Sequence, residues 1–353
     1  MMVWLASCCA EQGHEVVVTT LEAPETEPFY PLPAVVHLVQ LDRMTRPGRG
    51  RFTAFLSRLI ALRQTMRRLH PDVVISFMNV MNMTVLLAGW NLKRPIIVSE
   101  RIDPTRHRIG WLKTLARRLL YLRASCCVVP TGEMAAYFHR FPGLKIASIP
   151  NPVPLPATLA CPDLPDAEGC YRIVTVGRLD YQKGFDRLIR AFAGLTARYP
   201  RWNVIVLGEG KERGTLETLV RAHGLESRIH LAGVVRGVEP YLAAAHVMAF
   251  PSRCEGFPNA LLEGLAAGLP AVAFADVSGV AELIRSNETG LLAESELAFA
   301  QALARLMEDA ALRARLGTAA RQSIERFHPA AIGRRWQELV VQTGEQHDRP
   351  HPS

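Results

Sequence analysis

Short runs of β-branched and other apolar residues alternate along this chain with longer segments whose apolar positions recur at helical spacing. In the first half the short runs are 15–20, 35–41, 72–77, 96–99 and 126–130; in the second they are 172–176, 203–207, 229–232, 247–250 and 271–274. Between them, Phe185, Leu188, Ile189, Phe192 and Leu195 repeat as the buried stripe of a crossover helix does. A β-α-β rhythm in both halves predicts an α/β chain with two parallel sheets wrapped by helices, and ligands at the C-terminal ends of the strands. Pro150, Pro152, Pro154, Pro156, Pro162 and Pro165 interrupt the rhythm and exclude regular structure there. The reading therefore divides the chain into a first domain over 1–150, a linker over 151–171, a second domain over 172–341 and a polar tail over 342–353. A last helix is expected after Pro329, through Trp336 and Leu339; His347 and His351 read as a frayed end rather than a metal site.

The length of 353 residues suits two domains of roughly 150 to 200 residues, and 49% hydrophobic residues suffice for two cores. The longest uncharged apolar run, 264–275, is shorter than the about 18 residues of a spanning helix and is broken by Gly268 and Pro270. Residues 1–10 carry no basic leader, so a cytoplasmic location is expected. Seven cysteines, with the adjacent pairs Cys8-Cys9 and Cys126-Cys127 and no Cys-x-x-Cys spacing, read as a reduced, metal-free set. The net charge of +8 is unevenly placed: residues 1–150 hold 19 Lys and Arg against 10 Asp and Glu, a net of +9, and the remainder 22 against 23. Eight arginines and no acid lie between Arg43 and His70, and Arg101 to Arg123 is a second basic stretch.

Candidate chemistry concentrates in the second half. Glu255 and Glu263 stand eight positions apart around a Gly256-Phe257-Pro258-Asn259 turn, which opens a small-residue helix. Backbone N–H groups at such a start, near Asn259, Ala260 and Leu261, attract phosphate. Upstream, the run Val174-Thr175-Val176 ends in Gly177-Arg178, and Lys183-Gly184 follows. Gly208-Glu209-Gly210 forms a further strand-exit turn. A plainer reading makes Arg178 and Lys183 surface cations paired with Asp180 or Asp186, Glu255 a solvated loop charge and Glu263 a helix-dipole partner.

In this order, at the ends of successive strands, these three elements resemble those of glycosyltransferase family 4, the retaining nucleotide-sugar transferases of GT-B architecture. The likeness runs from the first residues to about Val341. The resemblance implies two Rossmann-like domains facing across a cleft. It also implies a sugar transferred from a nucleotide sugar, UDP-linked in our reading, to a glycan or polyprenyl-diphosphate-linked acceptor in surface polysaccharide or oligosaccharide assembly. Asp-x-Asp is absent, so no metal or other cofactor is expected, and Arg178 and Lys183 would hold the diphosphate with the helix-start amides. Glu255 would orient sugar hydroxyls and Glu263 the ribose. The segment Gly208 to Gly210 and the turn from Gly233 to Arg236 would line base and ribose, and Gly177 would be a further donor-binding position. Family members retain anomeric configuration, implying front-face substitution without a protein nucleophile.

In the first domain Glu100-Arg101, at a strand end, and Thr131 are the acceptor-side candidates; a structural salt bridge is the alternative for the first two. The family places a strand and a Gly-rich loop ahead of the first helix, so about 15 to 25 residues of a β-α unit are expected to be absent. A nucleotide-sugar-binding protein without turnover is the alternative that follows. Nucleic-acid binding would explain the basic half but not the motifs of the other. Finally, Leu112, Leu115, Leu119 and Leu122 form a stripe after Trp111, among Lys113, Arg117, Arg118 and Arg123. It reads either as a crossover helix with a solvated rim or as an attachment to an anionic membrane surface.

Overall fold

The computed structural model describes residues 1–24, 26–28, 30–42, 50–105 and 109–348, without the side chains of Arg51, His347 and Asp348. Arg43, Arg46, Arg49, Arg106 and Arg108 of the basic stretches, and the tail beyond Asp348, lie outside the described residues. The chain divides into two units, Met1–Asn151 with Ala330–Ser353, and Pro152–Pro329.

The first unit opens with α1 (Met2–Glu11), β1 (Val16–Thr20), β2 (Val36–Gln40) and α2 (Arg51–Leu69). It continues through β3 (Val74–Phe77), α3 (Asn79–Ala88), β4 (Ile96–Ser99), α4 (Trp111–Tyr121), β5 (Cys126–Val129), α5 (Gly132–Phe138) and β6 (Ile146–Ser148). The expected single sheet is instead two: a parallel β1–β2 pair and a parallel sheet in the order β3-β4-β5-β6. Side chains alternate across the second sheet as the two-residue period requires. Ile96, Val98, Cys127 and Val129 share a core with Leu62 of α2, Leu86 of α3, Tyr121 of α4 and Phe138 of α5. Ile97, Cys126 and Val128 share another with Leu5 of α1. The next residue along α1, Ala6, packs with Val18 and Val36, so this one helix serves both sheets.

The second unit is a single six-stranded parallel sheet in the order β12-β11-β10-β7-β8-β9. Its elements are β7 (Tyr171–Val176), α6 (Phe185–Ala193), β8 (Trp202–Leu207), α7 (Arg213–Ala222), β9 (Ile229–Gly233), α8 (Glu239–Ala243) and β10 (Val247–Phe250). They are followed by α9 (Asn259–Ala266), β11 (Ala271–Phe274), α10 (Val280–Leu283), β12 (Leu291–Ala293), α11 (Glu296–Glu308) and α12 (Ala310–Ser323). Phe185, Leu188, Ile189 and Phe192 are all buried on α6, as their spacing predicts. Strand order runs outward from β7 in both directions, so the chain reverses its winding between β7 and β10. That pair is the topological switch point, where doubly wound sheets bind ligands.

Two expected boundaries are corrected. The Pro-rich segment has no regular structure, but it is strapped to the second unit: Val153 N–H donates to Phe327 O at 2.9 Å, Ala160 N–H to Ala267 O at 2.9 Å, and buried Arg313 donates to Pro162 O. The last helix, α13 (Pro329–Asp348), leaves the second unit and returns to the first, where Ile332 and Trp336 are fully buried beside Leu5, Ile97 and Val128. It also runs on through the expected tail to Asp348, because Thr343 is buried and Lys145 Nζ donates to Gln346 Oε1 at 3.0 Å.

Candidate functional site

Four strand-exit loops lie side by side at the C-terminal edge of the second sheet, in the order of β10, β7, β8 and β9. Glycines let the middle loops touch through bare backbone. A Cβ on Gly208 would stand 1.9 Å from Gly177 O, one on Gly210 2.3 Å from Leu179 O, and one on Gly184 2.2 Å from Pro251 O. At Gly177 a Cβ would press on the Lys183 stem at 3.2 Å. Hydrogen bonds from Gly177 N to Leu207 O at 2.9 Å, Gly208 N to Gly233 O at 2.8 Å and Leu179 N to Glu209 O at 3.0 Å close the seams. Arg236 lies exposed on the loop after β9, at the same edge.

The two cations of the β7 loop differ. Arg178 is 72% exposed and pairs with Asp180 at 2.9 Å, the plainer of the two expectations for it. Asp180 also caps the short 3-10 turn Tyr181–Lys183 by accepting from Lys183 N–H. Lys183 instead crosses the switch point, and its Nζ donates to Glu255 Oε1 at 2.7 Å, where the carboxylate is only 7% exposed and accepts a second hydrogen bond from Ser252 Oγ at 2.8 Å. Sequence reasoning took these two residues separately and did not pair them. It also missed Arg253, whose guanidinium grips both Asp186 oxygens at 2.7 and 2.8 Å. Burial pushes the Asp186 carboxyl up, but its hydrogen bonds from Arg253 and Arg190 outweigh this and hold it at about 2. Gln182 and Arg253 add hydrogen bonds between the same loops, Gln182 Nε2 to Cys254 O and Arg253 N to Gln182 O, both at 2.8 Å.

Among the described residues no side chain caps α9, so the first-turn amides of Ala260 and Leu261 point out of the helix start. Gly264 seats this helix on its strand, since a Cβ there would meet Met248 Cγ at 2.9 Å. Among the residues expected here, Phe257 and Leu261 turn their side chains into the core, Phe257 against Phe327. Any ligand contact they make is through backbone. Glu263 is half-buried on the second turn with no ion pair or hydrogen bond to its carboxyl among the described residues. Burial, with Glu239 adding like charge, raises its pKa to about 7.

The acceptor-side candidates of the first unit are held in structural contacts. Glu100 is 1% exposed and accepts from Tyr121 OH, which also accepts from Asn82 Nδ2 at 3.1 Å; burial raises the Glu100 pKa. Arg101 donates to Ser99 Oγ at 2.9 Å and Asn151 Oδ1 at 2.8 Å between the rings of Phe77 and Trp336, and burial lowers its pKa to about 10. Thr131 is buried as the N-cap of α5, accepting from Met134 N at 3.2 Å. His246, unremarked in the sequence, is buried between Arg172 N and Leu164 O and serves packing.

Parallel α/β units, one with cations and an uncapped helix start at its switch point, are a frame on which doubly wound proteins hold phosphorylated ligands. Residues 163–323 match the family model of glycosyl transferases group 1, and residues 1–152 that of the glycosyl transferase 4-like domain. The chain belongs to the group 1, family 4 glycosyltransferases, and its fold is GT-B. It is 26% identical over 349 residues to the GalNAc-alpha-(1->4)-GalNAc-alpha-(1->3)-diNAcBac-PP-undecaprenol alpha-1,4-N-acetyl-D-galactosaminyltransferase of Campylobacter jejuni, covering 97% of this chain and 94% of that one. Among solved structures, sucrose-phosphate synthase from Thermosynechococcus elongatus superposes with a TM-score of 0.82 at 21% identity, over 97% of this chain and 92% of that one. HepE of Anabaena, in complex with UDP and glucose, does so at 0.76 and 18%, over 97% and 95%. Among the described residues no helix is long and apolar enough to cross a membrane.

Proposed function

We propose that this chain is a retaining, metal-independent hexosyltransferase that moves a sugar from a UDP-sugar to a glycan or polyprenyl-diphosphate-linked saccharide, at the cytoplasmic side of surface polysaccharide assembly. The observation that carries it is the Lys183–Glu255 pair at the switch point, beside the uncapped start of α9. The Campylobacter relative, named for a diphosphoundecaprenol-linked saccharide, supports the acceptor class, and the UDP and glucose of HepE support the donor. On donor binding Lys183 turns from Glu255 to the diphosphate, and Arg178, held in a surface ion pair with Asp180, swings onto the same oxygens. Both cations and the amides of Ala260 and Leu261 take up charge as the bond between sugar C1 and phosphate oxygen breaks. Glu255, freed, accepts from sugar hydroxyls, and Glu263 from the ribose. The acceptor oxygen bonds to C1 on the face the phosphate leaves, and its proton passes to a departing phosphate oxygen.

A thermal-shift series with UDP, GDP and ADP tests the donor half, UDP giving the largest rise. With the matching UDP-sugar, NMR of the product should show the donor's anomeric configuration kept, in EDTA as without it. Arg178→Ala should slow turnover by about 100-fold or more. An inverted product, or turnover abolished by EDTA and restored by a divalent ion, would overturn this mechanism.

A further inference from the structure

Helix α4 is oriented opposite to an ordinary surface helix. Its apolar stripe faces outward: Trp111 is 74% exposed, Leu112 63%, Leu115 49%, Leu119 60% and Leu122, just past the helix, 48%. Its inward face buries Arg117 and Tyr121 instead. The guanidinium of Arg117 donates to Tyr137 OH at 2.7 Å and lies over the rings of Tyr137 and Phe138, so the inversion is built into the packing. The solvated-rim reading of this stripe is thereby corrected: the leucines are not core, and Arg117 is not rim.

The exposed face extends sideways. α2, α3 and α4 cover the same face of the four-stranded sheet, with α3 packed against both others. On the outer side of α2, Phe52 is 76% exposed, and Leu56 and Ile60 are exposed as well. Trp90, exposed at the end of α3, stacks 3.9 Å beneath the guanidinium of Arg123. Lys113, Arg118 and Arg123 flank the leucines, Arg67 and Arg68 stand exposed on α2, and no acid occurs in 50–69, 79–90 or 111–123.

We propose that this layer docks on the surface of an anionic phospholipid bilayer, with the α4 leucines and Phe52, Leu56 and Ile60 in the acyl boundary and the cations among the headgroups. Contiguous exposed apolar surface of this kind marks an interaction site. Its chemistry matches a bilayer edge: an apolar band, cations of one sign around it, and two tryptophans, one stacked by arginine, at the depth where indole rings favour headgroups. A second copy of this chain fits poorly, since apposing the face to itself would bring Lys113, Arg118 and Arg123 against like charges. The inference stands on the helix layer alone and does not depend on the donor or the acceptor.

Co-flotation of the full chain with vesicles of phosphatidylcholine alone, and of phosphatidylcholine with phosphatidylglycerol, tests it. Binding is expected to the anionic vesicles and to weaken with salt. K113Q/R118Q should bind them about 25-fold more weakly, about fivefold per charge. L112S/L115S/L119S should abolish binding while its circular dichroism and UDP thermal shift stay as in the parent, because these side chains are outside the core. Tryptophan emission should shift blue and be quenched by brominated acyl chains, a signal reduced in Trp111→Phe and lost in Trp111→Phe with Trp90→Phe. Equal binding to both vesicle types, no binding to either, or a mass that doubles with concentration and reverts in L112S/L115S/L119S would each overturn the proposal.

Discussion

The half-buried carboxyl of Glu263 is costly to the fold when charged, a cost its proposed role in donor binding would explain. Its folded pKa of about 7 lies above the ordinary glutamate value, so the folded state holds a proton that the unfolded state releases. The contribution is fully present below about pH 4.5 and is lost as pH rises through about 7. Glu263→Gln should therefore melt higher than the parent at pH 8, by roughly 3 kcal/mol of stability, and about equally at pH 4.5. In the proposed donor complex the same ionisation would govern binding, because ribose hydroxyls would donate to the charged form. UDP affinity, by calorimetry, should weaken as pH falls below about 7, with proton release on binding; Glu263→Gln should bind UDP more weakly and lose that pH dependence. Lys183→Ala removes the partner of a nearly buried carboxylate, and should cost about 2 to 3 kcal/mol, part of it regained in Lys183→Ala with Glu255→Gln. The residue types at these positions were legible in the sequence. Their pairing was not, since 72 positions separate Lys183 from Glu255 and 67 separate Arg253 from Asp186, and no local pattern reports such contacts.

At the scale of elements, the ten short apolar runs each became a strand, because β-branched runs between turn residues leave few alternatives. β6 and β12, at the edges of their sheets, have three residues each and leave no periodic trace. The glycines between strands and helices were legible as turns, but the reason for them was not. Gly208, Gly210 and Gly184 are required by the backbone of another loop. That distinction is testable by comparing two alanines. Gly224 has φ +65° with nothing near its Cβ position, whereas Gly208 would place a Cβ 1.9 Å from Gly177 O. Gly224→Ala should cost about 1 kcal/mol, the left-handed penalty alone, and leave the UDP shift intact. Gly208→Ala must part the β7 and β8 loops, and should cost more than about 2 kcal/mol and abolish the UDP shift. Equal effects in the two variants would mean that the loops yield freely and that their contact does not shape the site.

For the whole molecule, the boundary that sequence misplaced has the largest consequence. A helix following a domain was read as part of it, yet α13 carries Ile332 and Trp336 back to the first unit, where Leu5, Ile97 and Val128 complete their core. Stability of the first unit therefore depends on the end of the chain, whereas the second unit, Pro152–Pro329, contains all of the proposed donor residues and its own sheet and helices. Trp336 is fully buried, and Trp336→Ala should cost the first unit about 3 to 5 kcal/mol. Hydrogen exchange should then quicken in β4 and β5 while β7, β8 and β10 keep their protection, and the variant should still be stabilised by UDP. Sugar transfer should fall at temperatures where the first unit has opened, separating donor binding from turnover within one chain. If UDP stabilisation vanished together with protection in β4, donor binding would need the first unit intact, and the assignment of the donor site to the second unit alone would fail.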